Sequence, residues 1–337
     1  MTVVGQPTLE AVAALAGVSR ATVSRVVNGS PRVSQAAKDS VGLAIAELGY
    51  VPNRAARSLV TRRADSVALV VSESETRFFS DPWFAVVARG MAAALSETDM
   101  QLVLVIAQSE RQRQRLERYL LSGHVDGVVL VSLHGRDPLP RQLVAAGVPT
   151  VLVGRPVDEI DVAYVDADNK GGSEVAVRHL LERGRTRIAT IAGPQDMSVG
   201  RDRLAGYEAA LRGAGLPVDP ALVGEADFSE EGGARAMLDL LARQPHLDAV
   251  FAASDLMAAG ALRALRGAGR RVPDDVALVG FDDLVTSQHT DPPLTTVRQP
   301  LADMGREMTR MLLATIAGEE PDPVVIMPTE LIVRASS

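Results

Sequence analysis

Residues 8–29 read TLEAVAALAGVSRATVSRVVNG, and the head of the chain is decided there. Leu9, Val12, Ala13 and Ala16 recur at the i, i+3, i+4, i+7 spacing of a helix with one core-facing stripe, and Thr8 stands where an N-cap belongs. Gly17 stops that helix, because glycine takes the left-handed backbone of a tight turn without a steric penalty. Ser19 can cap a second helix whose Val23, Val26 and Val27 face inward before Asn28-Gly29 ends it. A small Ala13 at the crossing, Gly17 four residues on and valines at 23 and 26 are the offsets of a helix-turn-helix. Downstream, SQAAKDSVGLAIAELGY supplies a third helix with Val41, Ala44, Ile45 and Leu48 apolar, on which the second can be held rigid. So placed, Arg20, Ala21, Thr22, Ser24 and Arg25 project into a major groove, where Arg can make a bidentate contact to guanine. Without DNA, the same residues are simply the solvated face of a three-helix domain.

Further outward, VPNRAARSLVTRR follows Tyr50. Pro52 breaks the third helix, and the capped stretch 53–60 beginning at Asn53 is shorter than the ~12–15 residues an isolated helix needs, so it folds only against something else. Arg54 and Arg57 can meet phosphates while Leu59 points elsewhere, as suits a wedge in a minor groove; a flexible basic linker has the same composition. Charge follows this division. Residues 1–63 carry eight basic and three acidic side chains, against 27 and 39 in the rest of the 337-residue chain, which is −7 in total. A basic head on an acidic body is expected when one end meets phosphates and the other does not.

From Ser66 the texture changes to short apolar runs alternating with helical stretches. SVALVV, QLVLVIA, DGVVLVS and VPTVLVG read as buried parallel strands separated by helices near 84–97, 110–122 and 140–146. RIATIAG, LDAVFAAS and DVALVGFDD form a second series with helices near 170–183, 203–214, 230–243 and 256–268. The fold class is therefore α/β: a small all-α head and two doubly wound parallel-sheet subdomains, with ligands expected at the carboxyl ends of the strands. The chain has six Phe, four Tyr and one Trp, yet Phe78, Phe79, Trp83 and Phe84 crowd into the loop after the first strand. Trp83 and Phe84 can stack on a ring, whereas Phe78 and Phe79 read as anchors for the next helix. Arg203 offers a planar fork of donors to two hydroxyls or a carboxylate, and Asp282, at a strand end, can accept from vicinal hydroxyls. Ser254-Asp255 opens a helix and is either part of the site or a capping pair.

The stretch TLEAVAALAGVSRATVSRVVNG, then PRVS, then ELGYVPNRAARSL resembles, without a gap, the head and hinge helix of the LacI/GalR family of transcription repressors. DNKGG, GPQDMSVGRDRLAGY, ADF, AASDLMAAGAL, VPDDVALVGFDD and PPLTTVRQP extend the likeness through the body, which there is similar to periplasmic sugar-binding proteins. The resemblance implies base reading by Arg20, Ala21 and Arg25, a groove-facing Ala56 and an intercalating Leu59. It implies effector contacts at Trp83 or Phe84, Arg203, Phe228, Ser254 and Asp282, and a crossover at PPLTTVRQP. Ala11 stands where the family usually has Asp, and Gly154 where some sugar-responsive relatives are acidic, so effector identity does not carry over.

The expected domains are residues 1–51, a hinge and linker at 52–63, and a body at 64–337 whose subdomains are about 64–162 with 294–322 and about 163–293 with 323–337. The expected function is a repressor of a near-palindromic operator on double-stranded DNA, with Ser19, Asn28 and Asn53 completing the contact set. Its effector is expected to be a carbohydrate, the alternatives being a purine or nucleoside or, in another class, a soluble sugar receptor. Nucleophile, metalloprotease, P-loop and dinucleotide motifs are missing, and zero Cys and five scattered His leave no ligand spacing, so no enzyme, metal or cofactor is expected. The start lacks a signal-peptide pattern and no membrane span is visible, so a cytoplasmic location is expected; ELIVRASS carries no leucine heptads, so a homodimer is expected.

Overall fold

The computed structural model describes residues 7–27, 30, 32–51 and 63–337. The chain divides into two compact units, Met1–Asp65 and Ser66–Ser337. In the first, α1 (Leu9–Ala16), α2 (Arg20–Val27) and α3 (Gln35–Leu48) enclose Val12, Ala13, Val23, Val41, Ala44 and Tyr50. Thr8 Oγ1 accepts from Ala11 N at 3.3 Å, Ser19 Oγ accepts from Thr22 N at 3.1 Å, and Gly17 turns the chain at φ +66°. The capping and turn chemistry read from residues 8–27 therefore operates as expected. Asn28, Asn53, Arg54, Ala56, Arg57 and Leu59 lie outside the described residues.

The second unit runs β1 (Ser66–Val71), α4 (Glu75–Ser80), α5 (Pro82–Leu95), β2 (Gln101–Ile106), α6 (Glu110–Leu121), β3 (Gly127–Val131), α7 (Leu139–Ala145), β4 (Thr150–Val153) and β5 (Ala163–Ala167). It continues with α8 (Asn169–Glu182), β6 (Ile188–Ala192), α9 (Ser198–Gly213), β7 (Val223–Glu225), α10 (Glu230–Arg243), β8 (Ala249–Ala252), α11 (Asp255–Gly267), β9 (Ala277–Asp282), α12 (Val285–His289) and β10 (Thr295–Arg298). It ends with α13 (Leu301–Ala317), β11 (Val324–Met327) and β12 (Glu330–Ile332). Two six-stranded sheets result, ordered β11-β5-β4-β3-β1-β2 and β12-β10-β9-β8-β6-β7. All neighbours are parallel except β10 and β12. The apolar runs are buried on both faces, as parallel strands under two helix layers must be, except QLVLVI: expected to be buried, it forms the edge strand β2 and is exposed or half-exposed along its length. In the first sheet Val67, Leu69 and Val129 face α5 and α13, while Ala68, Val70 and Leu130 face Leu116, Leu120 and Leu143. Leu116 and Leu120 point inward from the Arg-rich α6, as its apolar stripe predicts.

The sheets move the subdomain boundaries. β5 and β11 belong to the first sheet and β10 to the second, so the chain crosses after Ala167, after Arg298 and after Met327 rather than at 162/163, 293/294 and 322/323. Two of the displaced strands are short and partly polar (AYVDA, TTVR), and the third, VVIM, is a four-residue edge strand only half buried, so none offers the long buried run that marks a strand in the sequence. The helix expected at 203–214 begins earlier, at Ser198, so Arg203 lies on the buried stripe with Gly206, Tyr207 and Ala210 and not at a helix start. Phe78 packs into the first core, but Phe79, expected beside it, is 76% exposed, because adjacent helical residues do not share a face. Among the described residues no helix is long and apolar enough to cross a membrane.

Candidate functional site

In the head, Ser19, Arg20, Ala21 and Arg25 are exposed and Thr22 and Ser24 half-exposed, all within or at the start of α2. The Ser19 and Thr22 hydroxyls share a hydrogen bond of 2.9 Å, and Arg20 Nε pairs with Glu10 Oε1 at 2.9 Å on the surface. Such an exposed pair is worth little and is readily exchanged for another anion.

The body carries its polar chemistry in a cleft between the two sheets, with about 1,020 Å³ of empty space including the open mouth. Its walls come from the segments at the carboxyl ends of β1 and of β3 to β10, where a doubly wound fold places ligands. The back wall is built around Arg203, which is 4% exposed. Its Nε donates to Asn169 Oδ1 at 2.9 Å, and its Nη1 donates to the Ala253 carbonyl at 2.5 Å and lies 3.3 Å from Asp282 Oδ1. Its guanidinium carbon is 3.8 Å from the centre of the Phe281 ring. Gln299 Nε2 also donates to Asp282 Oδ1, at 2.5 Å. Asp282 adopts φ +117°, a left-handed conformation that side chains rarely take and that marks sites where geometry is imposed.

Beneath it, Asp255 Oδ1 accepts from Thr296 Oγ1 at 2.5 Å and Oδ2 from Leu284 N at 2.8 Å. Burial raises the carboxyls of Asp255 and Asp282; the Asp282 charge raises Asp255 further, while for Asp282 the Arg203 charge opposes the rise and the Asp81 charge adds to it. Burial lowers Arg203 as well, with the charges of Asp282 and Asp166 pulling it back. Asp81 and Asp166 are raised by burial too. Asn169 Nδ2 donates to Asp166 Oδ1 at 2.8 Å, which fixes the amide that receives Arg203.

The first lobe contributes an aromatic wall. Asp81 caps α5 by accepting from Trp83 N at 2.9 Å, and Trp83 meets Phe84 edge to face at 5.2 Å. Trp83 is half-exposed into the cleft, whereas Phe84 is 3% exposed and belongs to the core. Phe228, at φ +63°, lies 5.4 Å under Arg77 and 5.9 Å under Arg203. A Cβ at Gly193 would stand 2.2 Å from that ring, so only glycine leaves Phe228 its place. Arg77 Nε is buried without a hydrogen-bond partner among the described residues.

One cavity thus gathers Trp83, Phe84, Arg203, Phe228, Ser254 and Asp282. Ser254 both caps α11, accepting from Met257 N at 3.2 Å, and lines the cavity. Asp283, next to Asp282, pairs with Arg298 at 2.8 Å and Arg334 at 2.5 Å. Sequence reasoning missed Arg77, Asp81, Asp166, Asn169, Arg155 and Gln299. Asn169 stood inside DNKGG and Gln299 inside PPLTTVRQP, with no role of their own. No group of described residues is arranged to hold a metal ion.

A helix-turn-helix unit joined to a two-lobed α/β body with a polar interlobe cleft defines the class: a DNA-binding regulator with a sensor domain. Residues 8–53 match the bacterial regulatory proteins of the lacI family, and residues 177–337 match a periplasmic binding protein-like domain. The chain is 55% identical over 334 residues to the HTH-type transcriptional regulator CelR of Thermobifida fusca, covering 98% of each. It is 34% identical over 340 residues to the transcriptional repressor CytR of Escherichia coli K12, covering 98% of this chain and 96% of that one. Among solved structures, a CelR–cellobiose complex is 53% identical with a TM-score of 0.79, covering 98% of this chain and all of that one. A lac repressor dimer bound to operator and the anti-inducer ONPF is 27% identical with a TM-score of 0.86 over 98% of each chain. The chain therefore belongs to the LacI family. It is a transcriptional regulator that binds DNA through its helix-turn-helix head, and not an enzyme.

Proposed function

We propose that the protein is a cytoplasmic, homodimeric repressor whose grip on a near-palindromic operator is set by a neutral sugar in the cleft, of the β-linked glucose disaccharide class represented by cellobiose. The carrying observation is charge pairing. Arg77, Arg136, Arg155 and Arg203 line the cavity with five aspartates, and each of these arginines already has an anionic partner: Glu73, Asp158, Asp202 and Asp282. A charged ligand would compete with these pairs, and at Arg77 or Arg203 would leave a buried partner unmatched, whereas hydroxyls both donate to carboxylates and accept from guanidinium at no cost in charge. Trp83 offers the flat apolar face on which a pyranose ring stacks. The cellobiose bound by CelR, at 53% identity, supports the same class.

On this reading Ser19, Arg20, Ala21, Thr22, Ser24, Arg25 and Asn28 serve the major groove, and Asn53, Arg54, Ala56, Arg57 and Leu59 serve the central minor groove. Trp83, Phe84, Arg203, Phe228, Ser254 and Asp282 serve the effector, Phe84 as backing for Trp83. The test is a mobility-shift assay on the DNA flanking its own gene, titrated with cellobiose, other mono- and disaccharides and nucleobases. Cellobiose is expected to change operator affinity and to be recovered unaltered. A response confined to nucleobases would overturn the sugar reading. Arg25→Ala is expected to weaken operator binding by about 1–3 kcal/mol and to leave sugar affinity intact; an equal loss on random DNA would reduce Arg25 to a phosphate contact.

A further inference from the structure

His134 follows β3 in the first lobe, and its two ring nitrogens meet carboxylates from both lobes. Nε2 stands 3.1 Å from Glu73 Oε1, in the loop between β1 and α4 of the same lobe. Nδ1 stands 3.0 Å from Asp196 Oδ2, in the loop between β6 and α9 of the other lobe. The next residue repeats the link, Gly135 N donating to the Asp196 carbonyl at 3.0 Å. An ionised carboxylate only accepts, and neutral imidazole carries a single N–H, so hydrogen bonds to both carboxylates require both nitrogens to be protonated. Glu73 is held ionised in spite of its burial, because His134, Arg77 at 3.1 Å and the Ser132 hydroxyl at 2.7 Å all favour its charge. The remaining charges nearby are engaged elsewhere. Arg136 pairs with Asp158 at 3.2 Å, Asp137 with Arg113 at 3.6 Å, and Arg201 Nε donates to the Gln195 carbonyl at 2.6 Å. Ser132, Leu133, Gly135 and Arg136 of the same loop line the cleft.

We infer that His134 is a positioning residue of the effector site: as imidazolium it clasps Asp196 across the cleft and holds the 132–137 loop against the second lobe, so that closure of the cleft takes up a proton. The inference rests on reading the cleft as the effector site. Glu73 travels with His134 when the lobes part, so what closing adds is the hydrogen bond to Asp196. In the clasped form the Glu73 carboxylate, and to a smaller degree that of Asp196, lifts the imidazole above its ordinary value against the effect of burial. The sign follows from the Asp196 hydrogen bond, which favours the charged imidazole and is the part of that rise that closing adds. Clasping is fully favoured below the pKa of the open form and is lost as pH rises through the higher pKa of the closed form, a window that lies around neutrality for a group ordinarily near ~6.5. Asp196 is 51% exposed, so the closed-to-open ratio should change by only about two- to fivefold, as for an exposed ion pair.

The sequence contains no Cys, so cysteines introduced in place of the exposed Arg141 and Glu231 can carry one spin label on each lobe of the full-length protein. Electron–electron distance measurements from about pH 5.5 to about pH 8.5 span the titration. The short-distance population is expected to fall as pH rises, and to be lower and flat with pH in Asp196→Asn and His134→Gln. By NMR, the imidazole signal lost in His134→Gln should titrate at lower pH in Asp196→Asn. With cellobiose as the probe, affinity should weaken from acid to alkaline pH in the wild type and not in Asp196→Asn. A distance distribution insensitive to pH, or one with the same pH profile in Asp196→Asn, would overturn the clasp. Cellobiose that binds at no pH would overturn the sugar reading instead, and the distance measurement would still decide for or against the clasp.

Discussion

The two lobes share an architecture and divide the chemistry. Each is a six-stranded sheet between helix layers, and in each a pair of helices crosses at glycine: Gly90 of α5 would press a Cβ to 2.2 Å from the Ala302 carbonyl, and Gly260 of α11 to 1.9 Å from that of Glu230. At the cleft they differ. The second lobe presents a buried charged cluster of Arg203, Asp255 and Asp282, fixed by Asn169, Thr296 and Gln299. The first presents the apolar wall of Trp83, Leu133, Pro140 and Ile160 beside the exposed Arg136 and Arg155, the half-buried Arg77 and Asp81 and the buried Asp166. The second lobe pairs its buried cation with its buried anion before any ligand arrives, while the first adds an apolar wall that can close over a sugar. Recognition and closure are thus given to different halves of the molecule.

The largest effect that would break this comparison is expected from Arg203→Ala. Removing the cation of the buried cluster leaves Asp282 with uncompensated charge, at a cost of about 3–5 kcal/mol in urea denaturation, and abolishes the response of operator binding to cellobiose. A variant as stable as the wild type would show that the cluster does not organise the second lobe. Next, Gly90→Ala and Gly260→Ala should each destabilise by about 1–3 kcal/mol, since the Cβ meets backbone that cannot turn aside. Similar losses in the two would confirm that the lobes are alike in scaffold and differ only at the cleft. Trp83→Ala should lie below both in stability cost, because the indole is half-exposed, yet weaken cellobiose about tenfold. Calorimetric titration separates the two quantities, and a large loss of stability with unchanged affinity would return Trp83 to the core.

The same division explains what the sequence made legible. Val12, Ala13 and Val23 fall at helical spacing in a head small enough for local periodicity and capping to define it, and the described part of that head folds as read. The strands SVALVV and GVVLV announce themselves because burial on both faces demands unbroken apolar runs. β5 and β10 do not, because AYVDA and TTVR carry polar residues engaged inside the fold, Asp166 with Asn169 and Thr296 with Asp255; β11 does not, because VVIM is a half-exposed edge strand of four residues. Arg203 and Asp282 were readable as charged residues beside apolar strands. Asn169 and Asp166 were not, since their part is to orient other side chains, and that depends on contacts 34 residues apart in the case of Asn169 and Arg203. Glu73, His134 and Asp196 were invisible for the same reason: a His among scattered His acquires meaning only when the lobes bring two carboxylates to it.

The smallest effect sharpens the comparison most. Arg155 of the first lobe reaches Asp202 of the second with both carboxylate oxygens in range, at 2.8 and 3.0 Å, so geometry alone would suggest a strong tie between the lobes. Exposure argues otherwise, since the Arg155 side chain is 52% accessible and Asp202 26%, and water and salt screen what the fork arranges. Arg155→Ala should therefore weaken cellobiose by less than about fivefold, and raising the salt concentration should narrow the gap between wild type and variant. The buried Arg203–Asp282 pair should show no such salt sensitivity, because no counter-ion reaches it. If Arg155→Ala instead cost as much affinity as Arg203→Ala, the charge that matters would lie at the mouth of the cleft, and the assignment of recognition to the second lobe would fail.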